Sequence, residues 1–335
     1  MIEIAINNKV DLLIHNNEKI KEVKGSWQMG MMQQSCILSS TIKNEHIIPY
    51  KVEESIEVIK NNTGIFSNFR GHSLFYLSNL LSNKENKENK EKSFNSILNT
   101  YNKLKENKFF NDTYLPFTAI IIDQNKNKVD IDTAIYRTKY VYDFMKNNHP
   151  FLTSSDDYCR AALIAINSKN LDSDLEYMEN CYKVLNSKGF YKSNNLQSLS
   201  HVMVFDKNKN EESLNKVLRI KKLLETNNCK IDGYGYPLIG AISLLECDEE
   251  VLAKQIKEVS DKLKDVKGFG NWALGKNNRN IISAAIVASA YADCFKEEGN
   301  LDTITNNIFL EIIIAIEIAI MVAMIAAVSA ASSSN

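Results

Sequence analysis

Two kinds of helical segment alternate along this chain, and the alternation leaves few folds open. One kind is amphipathic and charged, with apolar residues three and four apart: EESIEVIKNN (53–62), SFNSILNTYNKLKEN (93–107), DTAIYRTKYVYDFMKNN (132–148), DLEYMENCYKVLNSKG (174–189), SLNKVLRIKKLLETNN (213–228) and LAKQIKEVSDKLKDVKG (252–268). That spacing gathers one apolar stripe and predicts burial on one side. The other kind is shorter and apolar all round: LFYLSNLL (74–81), YLPFTAIII (114–122), AALIAI (161–166), LSHVMVF (199–205), PLIGAISLL (237–245) and IISAAIVASAYA (281–292). A helix with no polar face has to be covered on every side. Strand patterning is nearly absent. With only 12 Gly and 4 Pro in 335 residues, the chain lacks the turn residues that sandwiches, barrels and doubly wound sheets use.

The junctions repeat as well. Each charged helix ends in a polar turn followed by an aromatic: Trp27, Phe66, Phe109, Phe151, Phe190, Tyr234 and Phe269. These markers are about 40 residues apart, the signature of a helical repeat. The expectation is an all-α fold of about seven helical hairpins, the first at 9–42. Amphipathic helices form its outer layer and apolar helices its inner one, stacked as an open α-solenoid or a closed α/α toroid. Residues 1–300 read as the helical-hairpin repeat domain and 301–335 as a C-terminal apolar helix with a disordered tail.

The loops sort into two classes. Those returning from an inner to an outer helix are Lys/Asn/Glu-rich linkers such as NKENKENKEK (83–92). Those crossing from an outer to an inner helix hold the rings, and chain order predicts that these crossing turns share one end of the stack. The inner helices also begin there, with free N–H groups and positive dipole ends that attract anions. Arg is rare, with five in all, yet Arg70 and Arg279 fall at these turns, and a guanidinium is a two-pronged donor for carboxylate or phosphate. Phe69, Arg70, His72 and Tyr114 are the expected ligand contacts in the first half of the chain. His201, Tyr234, Tyr236, Trp272 and Arg279 are those in the second. The competing expectation is that the rings staple neighbouring repeats and that each Arg binds a nearby carboxylate or carbonyl.

Asp156 and Asp157, with His149 close in sequence, are the candidate catalytic groups. Their bland reading is a capping box, with Ser154 as N-cap and Asp157 three residues on. No His-x-x-x-His or Cys-x-x-Cys spacing is present, so neither metal nor cofactor is expected. The six cysteines read as reduced thiols of a cytoplasmic protein, and the start of the chain has no signal-peptide pattern. Forty Lys plus Arg against 41 Asp plus Glu gives no reason to expect a nucleic-acid partner. Residues 308–328, IFLEIIIAIEIAIMVAMIAAV, are long enough to cross a bilayer. Glu311 and Glu317 and the absence of flanking Lys or Arg favour instead a docked helix or a homo-oligomer contact.

Taken together, NTGIFSNFRG (62–71), HPFLTSSDDY (149–158), NLQSLSH (195–201) and GFGNWALGK (268–276) resemble the bacterial family called domain of unknown function 4003, over residues 1–300. The resemblance implies a mostly helical cytosolic protein and assigns no activity, so no catalytic residue carries over. The Ile-rich 308–328 stretch departs from the small-residue-rich helix it leads one to expect. Three functions follow as expectations. The first is a binding or scaffold module holding a small ligand or peptide at the crossing turns. The second is a toroid-type enzyme with carboxylate and histidine chemistry there, and the third is a tail-anchored protein.

Overall fold

The computed structural model describes residues 1–26 and 32–297. Trp27 and the 308–328 segment lie outside the described residues. Among the described residues there are fourteen α-helices and no strand. The residues fall into two compact units. Unit 1 holds 1–17, 38–46 and 176–297; unit 2 holds 18–26, 32–37 and 47–175. Helices α1 (Ile2–Lys19), α2 (Met32–Ile42) and α9 (Leu171–Ser187) cross the boundaries between them.

Unit 2 contains α3 (Pro49–Asn61), α4 (Ser73–Ser82), α5 (Lys87–Glu106), α6 (Leu115–Gln124), α7 (Ile131–Asn148) and α8 (Tyr158–Asn167). They pack as pairs: α3 on α4, α5 on α6, and α7 on α8. Each outer helix also touches the next outer one, and each inner helix the next inner one. Burial follows the sequence pattern. Helix α5 hides one stripe, including Phe94, Ile97, Tyr101 and Leu104, whereas α6 is buried from Leu115 to Asp123 and α8 from Tyr158 to Ile166. Each fully buried Ile, Leu or Phe contributes about 1.5–3 kcal/mol. Helix α5 packs against four neighbours, the amphipathic α3 and α7 and the apolar α4 and α6.

Unit 1 repeats the arrangement with α10 (Asn194–Met203), α11 (Glu211–Thr226), α12 (Tyr236–Ser243), α13 (Glu249–Lys264) and α14 (Lys276–Glu297). Helix α11 packs on α12 and α13 on α14, while α11 also meets α13 and α12 meets both α10 and α14. The first helix of the chain joins this unit beside α13. Lys262 donates to Asn7 Oδ1 at 2.8 Å, and Asn17 to the Lys267 carbonyl at 3.0 Å. Buried Lys9 pairs with Asp293 at 2.9 Å and donates to the Ile42 carbonyl at 3.0 Å.

Helix starts are set locally. Asn86, Asp130, Ser193, Asn210 and Asp248 each accept a hydrogen bond from a backbone N–H of the first turn, and each such cap stabilises its helix by about 0.5–2 kcal/mol. The Ser193 cap starts α10 five residues before the apolar run at 199. Helix α14 likewise begins at Lys276, with Arg279 N bonded to the Gly275 carbonyl at 3.1 Å. Arg279 therefore sits in a helical first turn, not in the crossing turn where the sequence reading put it.

Candidate functional site

Outer helices end by a shared device. A residue in the left-handed region closes α5 (Lys108, φ 64°), α9 (Gly189, φ 106°) and α11 (Asn228, φ 56°), and Gly268 (φ 100°) takes the same conformation in the turn after α13. The next N–H then reaches back five residues in three of them: Phe109 to Leu104, Phe190 to Leu185 and Cys229 to Leu224. This 6→1 bond with a buried apolar contact is a Schellman cap; it explains Lys-Gly-Phe at 188–190, whereas at 267–269 the Phe269 N–H reaches only the Val266 carbonyl. Gly268, and not Gly270, takes the positive φ.

The crossing turns of each unit touch one another. In unit 2, Asn68 Nδ2 donates to Asn111 Oδ1 at 3.0 Å, and Phe110 N to the Tyr158 hydroxyl at 3.2 Å. In unit 1, Phe190 meets Tyr236 at 4.9 Å edge to face, and Asp232 N donates to Asn277 Oδ1 at 2.9 Å. The rings split into two roles. Phe69, Phe109, Tyr158, Phe190 and Phe269 are buried staples, while Phe66, Phe110, Phe151, Tyr191 and Trp272 are exposed. Of the markers read from sequence, Phe66 and Phe151 are thus exposed rings, not staples.

In unit 2, Phe69 is fully buried in a short 3-10 helix, against Phe94 and Tyr101. Arg70 donates from Nε to Thr63 Oγ1 at 3.2 Å and from Nη2 to the carbonyls of Lys60 and Thr63. It thereby satisfies carbonyls at the negative end of α3. His72 is half-buried at the N-cap of α4, and burial lowers its pKa below the ordinary imidazole value. Tyr114 is half-buried just before α6, its N–H bonded to Asp112 Oδ1 at 2.9 Å. His149 is the C-cap residue of α7.

Asp156 and Asp157 are buried and face one cation. Arg160 donates from Nη2 to Asp156 Oδ2 at 2.9 Å and from Nε to Asp157 Oδ1 at 3.0 Å. The capping box is formed, with Ser154 N donating to Asp157 Oδ2 at 3.0 Å. Burial pushes the Asp157 carboxyl up from the usual range, and Arg160 pulls it back. Both carboxylates are held by structural partners. Sequence reading passed over Arg160, although its spacing three and four residues after the two acids places all three on one helix face.

In unit 1, His201 is buried on α10. Tyr234 is half-buried, its hydroxyl bonded to Asn278 Oδ1, and Tyr236 packs on Phe190. Burial raises the pKa of both phenols. Trp272 is fully exposed. Arg279 is 3% exposed. Its Nε reaches Ser260 Oγ at 3.3 Å; its Nη1 reaches the Phe269 carbonyl at 3.2 Å and Asn271 Oδ1 at 2.8 Å. All these acceptors are neutral, and Arg279 makes no ion pair among the described residues. Asn277 and Asn278, which fasten the neighbouring turn beside it, gave no signal in the sequence. Among the described residues no group of three or more His, Cys, Asp or Glu is placed to hold a metal, and no helix is long and apolar enough to cross a membrane.

Helix pairs joined by stapled, hydrogen-bonded turns define an all-helical repeat protein. The chain belongs to the family described as protein of unknown function (DUF4003), whose profile matches residues 16–319. It is similar to the uncharacterized protein YeaA of Bacillus subtilis (strain 168), at 25% identity over 288 residues covering 83% of this chain and 84% of that one. No solved structure matches.

Proposed function

We propose that the protein is a cytoplasmic binding or scaffold module, without catalysis, that takes a small carboxylate- or phosphate-bearing ligand at the crossing turns of unit 1, above Arg279. One observation carries this reading: a buried guanidinium has only neutral acceptors. An unbalanced buried charge is costly, and an anion alongside it offsets that cost. The first turn of α14 adds its dipole and free N–H groups. Exposed Asn271 links the guanidinium to the surface next to Trp272. The six cysteines, none in a disulfide among the described residues, favour a reducing compartment. The alternative, a toroid-type enzyme, would have to use carboxylates other than Asp156 and Asp157, which are buried and hydrogen-bonded to Arg160. The two-layer stack expected from the repeat, as an open solenoid or a closed toroid, belongs to this proposal, and small-angle scattering distinguishes the two.

The test is thermal unfolding in inorganic phosphate against chloride at matched ionic strength. At a phosphate concentration a hundredfold above its dissociation constant, the expected stabilisation is about 2.7 kcal/mol, and Arg279→Gln removes it. Equal stabilisation of wild type and variant, or none of either, refutes the site.

A further inference from the structure

We propose that the crossing turns of unit 2 form a peripheral docking surface for an anionic lipid bilayer. Each of its three turns carries a ring that the core uses and a ring that it does not. Phe69, Phe109 and Tyr158 are buried, whereas Phe66 is 95%, Phe110 69% and Phe151 98% exposed. Ile65, next to Phe66, is exposed too. The bonds from Asn68 to Asn111 and from Phe110 to Tyr158 tie the three turns into one surface. Rings this exposed bury little apolar surface, so they add little to the stability of the fold.

Shape and charge both select the occupant. A side chain exposed almost completely stands on a convex tip; it does not line a groove. A peptide or folded partner gains most from anchors seated in pockets, whereas a deformable interface accepts protruding tips, and aromatic rings favour the headgroup level. Lys60, Lys105, Lys108 and Lys146 are exposed on these same turns and helix ends. None is in an ion pair among the described residues, although Lys146 donates to the carbonyls of Pro150 and Thr153. Of the four acids nearby only Glu106 is exposed; Asp112 is half-buried, and Asp156 and Asp157 are buried against Arg160, so the exposed charge is mostly lysine. Rings with an excess of lysines match an anionic headgroup layer. None of these residues belongs to the Arg279 site, so the two proposals stand or fall separately.

The experiment is co-sedimentation of the full chain with vesicles of phosphatidylcholine alone and of equal parts phosphatidylcholine and phosphatidylglycerol. The expected result is partitioning onto the anionic vesicles that weakens with salt. The double variant Phe66→Ser/Phe151→Ser should weaken it at least about tenfold with an unchanged melting curve. Tyr136→Ser removes an exposed ring on the outer helix α7, away from the turns, and leaves partitioning as it was. No partitioning onto either vesicle overturns the proposal. So does undiminished partitioning of the double variant, which would assign the lipid contact to another part of the chain. Ring-dependent self-association in size-exclusion chromatography without vesicle binding also overturns it, in favour of a second copy as occupant.

Discussion

Arg160 in unit 2 and Arg279 in unit 1 are the same side chain at the same place in the hairpin, buried in the first turn of an inner helix. Their surroundings differ. Arg160 faces two carboxylates from the preceding turn, so charge is balanced inside the fold, apart from one surplus negative charge shared by the two acids. Arg279 faces a hydroxyl, a carbonyl and an amide, and its charge is left over. Position in a repeat therefore does not assign a role; the electrostatic balance around each copy does. The Arg160 cluster is finished as a structural element, and the Arg279 turn is the one that an external anion completes.

The sharpest way to break this contrast is to unbalance unit 2. The double variant Asp156→Ala/Asp157→Ala leaves the buried Arg160 guanidinium without a carboxylate and should destabilise the protein by about 3–5 kcal/mol in denaturant unfolding; a loss under about 1 kcal/mol would mean that Arg160 is no better balanced than Arg279. Arg279→Met should cost less than about 2 kcal/mol in phosphate-free buffer, because removing an unbalanced charge offsets its lost hydrogen bonds. A larger loss would make Arg279 a structural residue like Arg160. Ser154→Ala, which removes the hydroxyl of the capping box, should cost about 0.5–2 kcal/mol by the same measurement, and an unchanged midpoint would take that cap out of the balance.

The smallest effect is in pH. The Asp157 carboxyl is raised in the folded protein, by burial first. A group so raised stabilises the fold fully below its unfolded value of about 3.9, and that contribution is lost as pH rises through the folded value. Across this window, wild type should lose stability relative to Asp157→Asn as pH rises. Parallel curves would show that Arg160 cancels the burial completely.

The turns show how much could be read in advance. Lys-Gly-Phe is a local sentence: a left-handed residue, then a ring whose N–H reaches back to close the helix. The staple role of Phe190 follows from it; Phe269, after the same Lys-Gly, is buried without that bond, its N–H reaching only the Val266 carbonyl. Phe66 and Phe151 look alike in sequence, yet they lack that cap and point into solvent, so the same ring in the same turn has the opposite environment. Arg160 was legible and missed, since its partners are three and four residues away. Ser260, 19 residues before Arg279, and Asp232, 45 before Asn277, were not legible, because no local pattern records which residues a fold brings together.

Helix positions, the alternation of amphipathic and wholly apolar helices, and the caps come from interactions within one or two turns of chain, and the order of residues alone determined them through periodicity and backbone hydrogen bonding. Which rings are left exposed, and which buried cation lacks a counter-charge, was decided only when helices far apart in sequence packed. Solvation and charge balance depend on every neighbour in space, and tertiary structure alone supplies those neighbours.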